Sequence, residues 1–227
     1  MSNWIVILTG AGVSAESGLG TFRDKDGMWT KYDLSEVATP EGYARNPGLV
    51  HDFYNARRRN CLDASPNPAH AALATLAAQR SVTLITQNVD DLHERAGSRD
   101  VIHMHGELTR AWCLACDQRM DWRDDLTTET PCPKCATPAL RPDIVWFGEI
   151  PYHMEEIDMA LRQASLFVAI GTSGEVYPAA GFVAEARAMG IPALELNMEP
   201  TGGRFDDGRY GPASRIVPDW VNEMLGT

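Results

Sequence analysis

Four of the five cysteines fall in two pairs, CLAC at 113–116 and CPKC at 132–135, with 15 residues between the pairs. Two such knuckles can converge on one tetrahedral ion, each thiolate about 2.3 Å from zinc. A site closed by Cys113, Cys116, Cys132 and Cys135 leaves no open position for water or substrate, so zinc there would hold a module folded rather than do chemistry. Disulfides are the competing reading, and an odd cysteine count fits them poorly. Cys61 stands outside the set without an evident partner.

A second constellation is GAGVSA at 10–15, directly behind an apolar run. Gly10 permits a tight turn, Gly12 lets backbone approach a pyrophosphate, Ala15 is small enough for close packing, and a helix start offers free N–H groups to phosphates. A merely tight strand-to-helix turn would read the same way. Asp33 has the spacing of the ribose-binding acid of a dinucleotide oxidoreductase, but the polar FRDKDGMWTKYD before it contains no strand.

TQNVDDLH at 86–93 leaves a second apolar run, where Gln87, Asn88 and Asp90 can project amide and carboxylate groups toward a ligand. In VIHMHGEL at 101–108, the two-residue period puts His103 and His105 on one side of a strand. Polar groups satisfied at strand ends, or a metal-binding His-x-His pair, are alternatives. FYNARRR at 53–59 sets three arginines behind a tyrosine. They can be a solvated helix face, a local nucleic-acid patch, or a receptor for a small carboxylate, which the guanidinium fork matches.

Apolar runs at 4–9, 81–86, 101–104, 166–172 and 192–196 are the elements that must position these groups, with helical spacing at 68–80, 153–164, 179–190 and 215–225. Strands alternating with helices predict an α/β fold, a doubly wound parallel sheet covered on both faces. Residues 37–67, polar and helical, and 109–141, with the clustered cysteines, break the rhythm and read as insertions. Gly202 to Gly208 reads as a surface loop.

At 227 residues the chain suffices for one large domain with insertions. A formal net charge of -11 opposes general binding to nucleic acid or anionic membrane, while leaving basic protein partners attractive. MSNWIVILTGAG lacks the features of a signal peptide, and no run approaches the roughly 18 apolar residues of a membrane span, so a cytoplasmic address is expected. A monomer is compatible with the sequence, which sets no oligomeric state.

Taken in order, GAGVSAESGLGTFR at 10–23, TQNVDDLH, HMHGEL at 103–108, the cysteine knuckles, VWFGE at 145–149, GTSGEVYPAAG at 171–181 and LNMEP at 196–200 resemble the sirtuin family of NAD-dependent protein deacylases over nearly the whole chain. The resemblance implies a Rossmann-type NAD-binding domain built from 1–36, 68–108 and 142–227, a helical module at 37–67 and a zinc-binding module at 109–141. It implies NAD contacts from Gly10, Ala11, Gly12, Ala15, Thr21, Phe22 and Arg23. Further contacts are implied for Gln87, Asn88, Val89 and Asp90, for Gly171, Thr172 and Ser173, for Asn197, Met198 and Glu199, and for Ala213.

The implied reaction consumes NAD without hydride transfer. The acyl-lysine oxygen attacks the nicotinamide ribose, nicotinamide leaves an alkylimidate behind, and the acyl group ends on ADP-ribose. His105 would be the general base for a ribose hydroxyl, Asp90 would hold the carboxamide, and Asn88 and Gln87 would orient the ribose and a water. Acylated-lysine proteins or peptides would add as a strand between VWFGE and GTSGEVYP, with Phe147 and Val176 beside the lysine stem or, alternatively, in plain core. Tyr54 and Arg57 resemble the pair that marks the desuccinylating and demalonylating class, leaving Arg58 and Arg59 solvated. The function classes set against this one are a zinc-dependent hydrolase needing no NAD, with His103 and His105 as ligands, and an ADP-ribosyltransferase or binding module on the same scaffold.

Overall fold

The computed structural model describes residues 3–20, 32–203 and 205–227. Thr21, Phe22 and Arg23 lie outside the described residues. In chain order the strands are β1 (Ile5–Thr9), β2 (Val82–Thr86), β3 (Ile102–His103), β4 (Gly106–Cys113), β5 (Arg119–Asp121), β6 (Leu140–Ile144), β7 (Leu166–Ile170), β8 (Ala193–Asn197) and β9 (Asp207–Tyr210). The α-helices are α1 (Ala11–Ser14), α2 (Leu34–Val37), α3 (Pro40–Arg45), α4 (Pro47–Asp63), α5 (Pro68–Gln79), α6 (Leu92–Arg95), α7 (Met154–Gln163), α8 (Phe182–Ala188) and α9 (Ala213–Leu225).

Every residue of IVILT in β1 is buried because this strand lies in the middle of the sheet with helices on both faces. Successive side chains point to opposite faces, so Ile5 and Ile7 join Leu73 of α5 and Trp220 of α9 on one side. Val6 and Leu8 join Ile157 and Leu161 of α7 and Phe182 of α8 on the other. The strand order is β3-β2-β1-β7-β8-β9, and every pairing is parallel. The first three strands step one way from β1 and the last three the other, so the order reverses between β1 and β7. This is a doubly wound Rossmann-type sheet.

β9 is a correction to the sequence reading, which left 202–208 as loop. DGRY offers no apolar alternation, and an edge strand half open to solvent needs none; backbone pairing with β8 forms it.

A separate antiparallel sheet, β5-β4-β6, carries the cysteine knuckles and runs from Gly106 to Ile144. α2 to α4 fill 34–63 and pack Val50, Phe53, Tyr54 and Cys61 against Leu108, Ile144 and Trp146. Their starts are set by side chains: Asp33 caps α2 by accepting from Ser35 N at 2.8 Å, and Asn46 caps α4 ahead of Pro47. Asp33 therefore serves a helix end.

Candidate functional site

The carboxyl ends of β1, β2, β7 and β8 open into one cleft of about 1110 Å³, at the reversal of strand order. Parallel sheets bind ligands there, because the connections on the two sides of the reversal leave toward opposite faces of the sheet and open a crevice between them. Gly10, Ala11 and Gly12 line it from the end of β1, and Gln87, Asn88, Val89 and Asp90 from the end of β2. Gly171, Thr172 and Ser173 follow β7, Asn197, Met198 and Glu199 follow β8, and Ala213 opens α9.

The glycines are demanded by backbone packing. A Cβ on Gly12 would stand 2.7 Å from Gly171 Cα, and Gly171 itself has a φ of +61°. The turn after β1 and the turn after β7 thus press together, and the Gln87 amide donates to Thr172 Oγ1 at 3.0 Å across the same floor. Ala15 departs from expectation: it is exposed and lines the cleft instead of packing on the sheet, because α1 ends at Ser14 and a 3-10 turn follows.

Beneath the cleft runs a chain of fully specified hydrogen bonds. Asn67 N donates to His70 Nδ1 at 3.2 Å as part of the capping box of α5, so the His70 proton sits on Nε2, 3.4 Å from Ser14 Oγ. Asn88 Nδ2 also donates to Ser14 Oγ, at 3.1 Å. With both lone pairs engaged, the Ser14 hydroxyl donates to Asp90 Oδ2 at 3.1 Å, while Leu92 N holds Oδ1. Asp90 is fixed in orientation, and burial raises its pKa above the usual carboxylate value. Ser14 and His70 were missed by sequence reasoning, although Ser14 stands inside the GAGVSA motif.

His105 and His103 do not share a strand face. β3 ends at His103, and the chain turns before Gly106, whose φ of +80° and crowding against the Asp143 carbonyl exclude a side chain. His105 lines the cleft with Nδ1 3.1 Å from the carbonyl oxygen of Gln87. His103 is buried away from it, bonding Glu94 at 2.8 Å and the Asn88 carbonyl at 3.3 Å. Burial acts to lower the His103 pKa, but the Glu94 hydrogen bond and charge outweigh it and the net shift is upward. Burial shifts His105 downward.

The cysteine sulfurs fit a metal. Cys113 and Cys135 sulfurs are 3.7 Å apart, Cys116 and Cys132 are 3.8 Å apart, and all four lie within 4.8 Å of one another. Thiolates about 2.3 Å from a tetrahedral zinc would be separated by about 3.8 Å, whereas disulfide sulfurs would lie near 2 Å. Among the described residues this is the one cluster of three or more such groups placed to hold a metal.

A model of the Sir2 family matches residues 10–178. The chain is 60% identical over 229 residues to an NAD-dependent protein deacylase of Caulobacter vibrioides, covering 97% of this chain and 96% of the relative. It is 54% identical to the NAD-dependent protein deacylase of Escherichia coli K12, covering 97% and 82%. A Sir2 homologue solved with NAD superimposes with a TM-score of 0.91 at 38% identity, covering 99% of this chain and 90% of that one. A Sir2 bound to acetylated peptide gives 0.85 at 29%, covering 99% and 94%. The chain belongs to the Sir2 family.

In this Sir2 family member the far end of the cleft is lined by Tyr54 and Arg57 of α4 and by Phe147 and Val176 of the two flanking loops. Tyr54 is buried, Arg57 and Val176 half-buried, and Phe147 51% exposed, so Phe147 belongs to a cleft wall and not to core. The Arg57 guanidinium carbon lies 5.6 Å from the ring centres of both Phe53 and Tyr54. Burial lowers its pKa, and Tyr54 and Asp90 act in the opposite sense.

Arg58 contradicts the expectation of a solvated side chain. It is wholly buried, with Nε 2.7 Å from the Leu108 carbonyl and Nη1 bonded to Asn55 Oδ1 and the Asp124 carbonyl. Helix period alone cannot separate a solvent face from one covered by an inserted module. Arg59 is exposed and pairs with Asp125.

Proposed function

We propose that this chain is an NAD-dependent protein-lysine deacylase whose chemistry is done in the cleft at the sheet's switch point, by the residues gathered there. It transfers the acyl group of a modified lysine to ADP-ribose and releases nicotinamide. The observation that carries the assignment of roles is the setting of His105: its Nδ1 faces a carbonyl, so Nδ1 keeps the proton and Nε2 is a free base.

NAD supplies the ribose carbon from which nicotinamide departs as the acyl oxygen bonds to it. The glycine turns after β1 and β7, the β8 loop with Asn197, Met198 and Glu199, and Ala213 form its seat. The family resemblance adds Thr21, Phe22 and Arg23, which lie outside the described residues. Asp90, oriented by Ser14 and Leu92, holds the nicotinamide carboxamide. Asn88 commits its amide hydrogens to Gly10 O and Ser14 Oγ, which leaves its Oδ1 as an acceptor for a ribose hydroxyl or water. His105 Nε2 takes the proton of the attacking ribose hydroxyl, an act that requires the neutral imidazole.

The acylated-lysine chain adds as a strand between the 145–149 and 171–178 loops, with Phe147 and Val176 against the lysine stem and Tyr54 with Arg57 at the acyl end. A guanidinium and a phenol in a half-closed apolar pocket suit an anionic acyl group such as succinyl or malonyl as well as a small acetyl group. Three units serve this division of labour: the NAD-binding domain at 1–36, 68–108 and 142–227, the helical module at 37–67 and the zinc module at 109–141. Among the described residues no helix is long and apolar enough to cross a membrane. A cytoplasmic setting suits four thiols arranged for a metal.

The test is turnover of acetyl-lysine and succinyl-lysine peptides by the zinc-replete protein, with and without NAD, followed by mass. Deacylation only with NAD is expected. Equal rates without NAD would reject the assignment in favour of a hydrolase.

A further inference from the structure

Trp146, two residues beyond β6, has its ring against Arg141 and its backbone N–H on Glu149, which Arg141 itself grips. The Arg141 guanidinium carbon lies 3.3 Å from the indole ring centre, and its Nη1 and Nη2 grip Glu149 Oε1 and Oε2 at 2.7 and 3.0 Å. Glu149 Oε2 in turn accepts from Trp146 N at 2.8 Å. Arg141 is only 3% exposed, and a third bond to the Ile144 carbonyl at 2.7 Å leaves it no freedom to swing. The Arg141 guanidinium carbon is also 5.1 Å from the ring centre of Trp112, and that of Arg119 is 4.3 Å from the same ring centre. The ladder of alternating cations and aromatic rings runs from the zinc-bearing sheet to the cleft, each step favourable by cation–π attraction.

The end of that ladder is a single hydrogen bond. Trp146 Nε1 donates to Tyr54 Oη at 3.0 Å, in a buried setting. An indole N–H can only donate, and so can the neighbouring guanidinium of Arg57, so neither group can accept the phenol proton. The Tyr54 proton is thereby turned toward the cleft that Tyr54 lines. The same clamp neutralises Glu149, a carboxylate on the cleft wall that would otherwise repel an anion.

We infer that Arg141 and Trp146 are positioning residues for acyl-group selection: by occupying the acceptor side of Tyr54 they make its hydroxyl an obligate donor, matched to an acyl carboxylate and of no use to a methyl group. The inference rests on the reading that Tyr54 and Arg57 receive that carboxylate. Burial supports it by keeping the phenol protonated.

The test compares kcat/KM for succinyl-lysine and acetyl-lysine peptides, at saturating NAD, in Trp146→Phe, Tyr54→Phe, the double variant and Arg57→Met. Trp146→Phe keeps an aromatic ring and removes the donor. It is expected to lower the succinyl-to-acetyl ratio roughly tenfold, about the worth of one charge-assisted hydrogen bond, mostly through KM for the succinyl peptide. In the Tyr54→Phe background the same substitution is expected to lower the ratio no further, which a general loosening of the fold would not reproduce. Should Trp146→Phe fail to fold, Arg141→Lys, which keeps the charge beside Glu149 but loses the flat guanidinium, is expected to act in the same direction and with the same dependence on Tyr54. A ratio changed less than twofold, or lowered equally in both backgrounds, overturns the inference while a collapsed ratio in Arg57→Met leaves the carboxylate reading standing. An unchanged ratio in Arg57→Met removes that reading and this inference together.

Discussion

His105 Nδ1 lies 3.1 Å from the carbonyl oxygen of Gln87, so the ring is locked in the tautomer that presents Nε2 to the cleft. Burial holds its pKa below the ordinary 6.5, the Gln87 bond only partly compensating. In the general-base role proposed for His105 the reactive form is the neutral one, and it is lost as pH falls through that lowered pKa. The acid limb of kcat/KM is therefore expected to have its midpoint below 6.5 and to be flat above it. A midpoint above 6.5 would mean that another group limits the rate. His105→Ala is expected to lose about 10²–10⁴ in turnover with peptide binding retained, as measured by titration calorimetry.

Arg57→Met is expected to lower kcat/KM for succinyl-lysine more than tenfold relative to acetyl-lysine, because a shielded charge-assisted pair is worth roughly 1.5–3 kcal/mol. Equal losses on the two peptides would assign Arg57 a role in the fold alone.

His70 is fully buried, and burial carries its pKa down to about 4 from 6.5. Between those two values the unfolded chain binds a proton that the folded chain refuses, so stability falls as pH drops from 6.5 toward 4. The full effect of this one residue is roughly 3 kcal/mol. His93, held well below its ordinary value by the same burial, acts in the same direction. Urea unfolding at pH 7, 5.5 and 4.5 is expected to show that loss, and His70→Gln to flatten it. A stability independent of pH over this range would mean that His70 titrates freely in the fold.

Removing zinc is expected to stop turnover by unfolding the β5-β4-β6 sheet, and its return to restore both. The time course of lost activity should follow lost structure by circular dichroism. Instant inactivation with structure intact would assign the metal to the chemistry.

Much of this molecule is written locally. β1 and β2 are short runs rich in β-branched residues and β7 is wholly apolar, as strands of a sheet covered on both faces are, and the cysteine spacing alone predicted the cluster. Gln87, Asn88 and Asp90 could be named because they follow a strand at the carboxyl edge where parallel sheets bind ligands, whereas Asn197 is named through the family resemblance alone. What stayed hidden depends on contacts between segments far apart in sequence. Arg58 carries the same local pattern as Arg59, yet it is buried because the backbone around residues 108 and 124, which are 50 and 66 positions further along the chain, lies over it. β9 exists through its pairing with β8, and His70 reaches Ser14 across 56 residues of chain.

The stoichiometry of one reaction mixture bears on the whole scheme. Freed lysine, nicotinamide and acyl-ADP-ribose are to be quantified together by mass from a single acyl-lysine peptide, NAD and the zinc-replete protein. They are expected to appear one for one for one. Lysine freed in excess of nicotinamide, with the acyl group recovered from the outset as free acid, would contradict it.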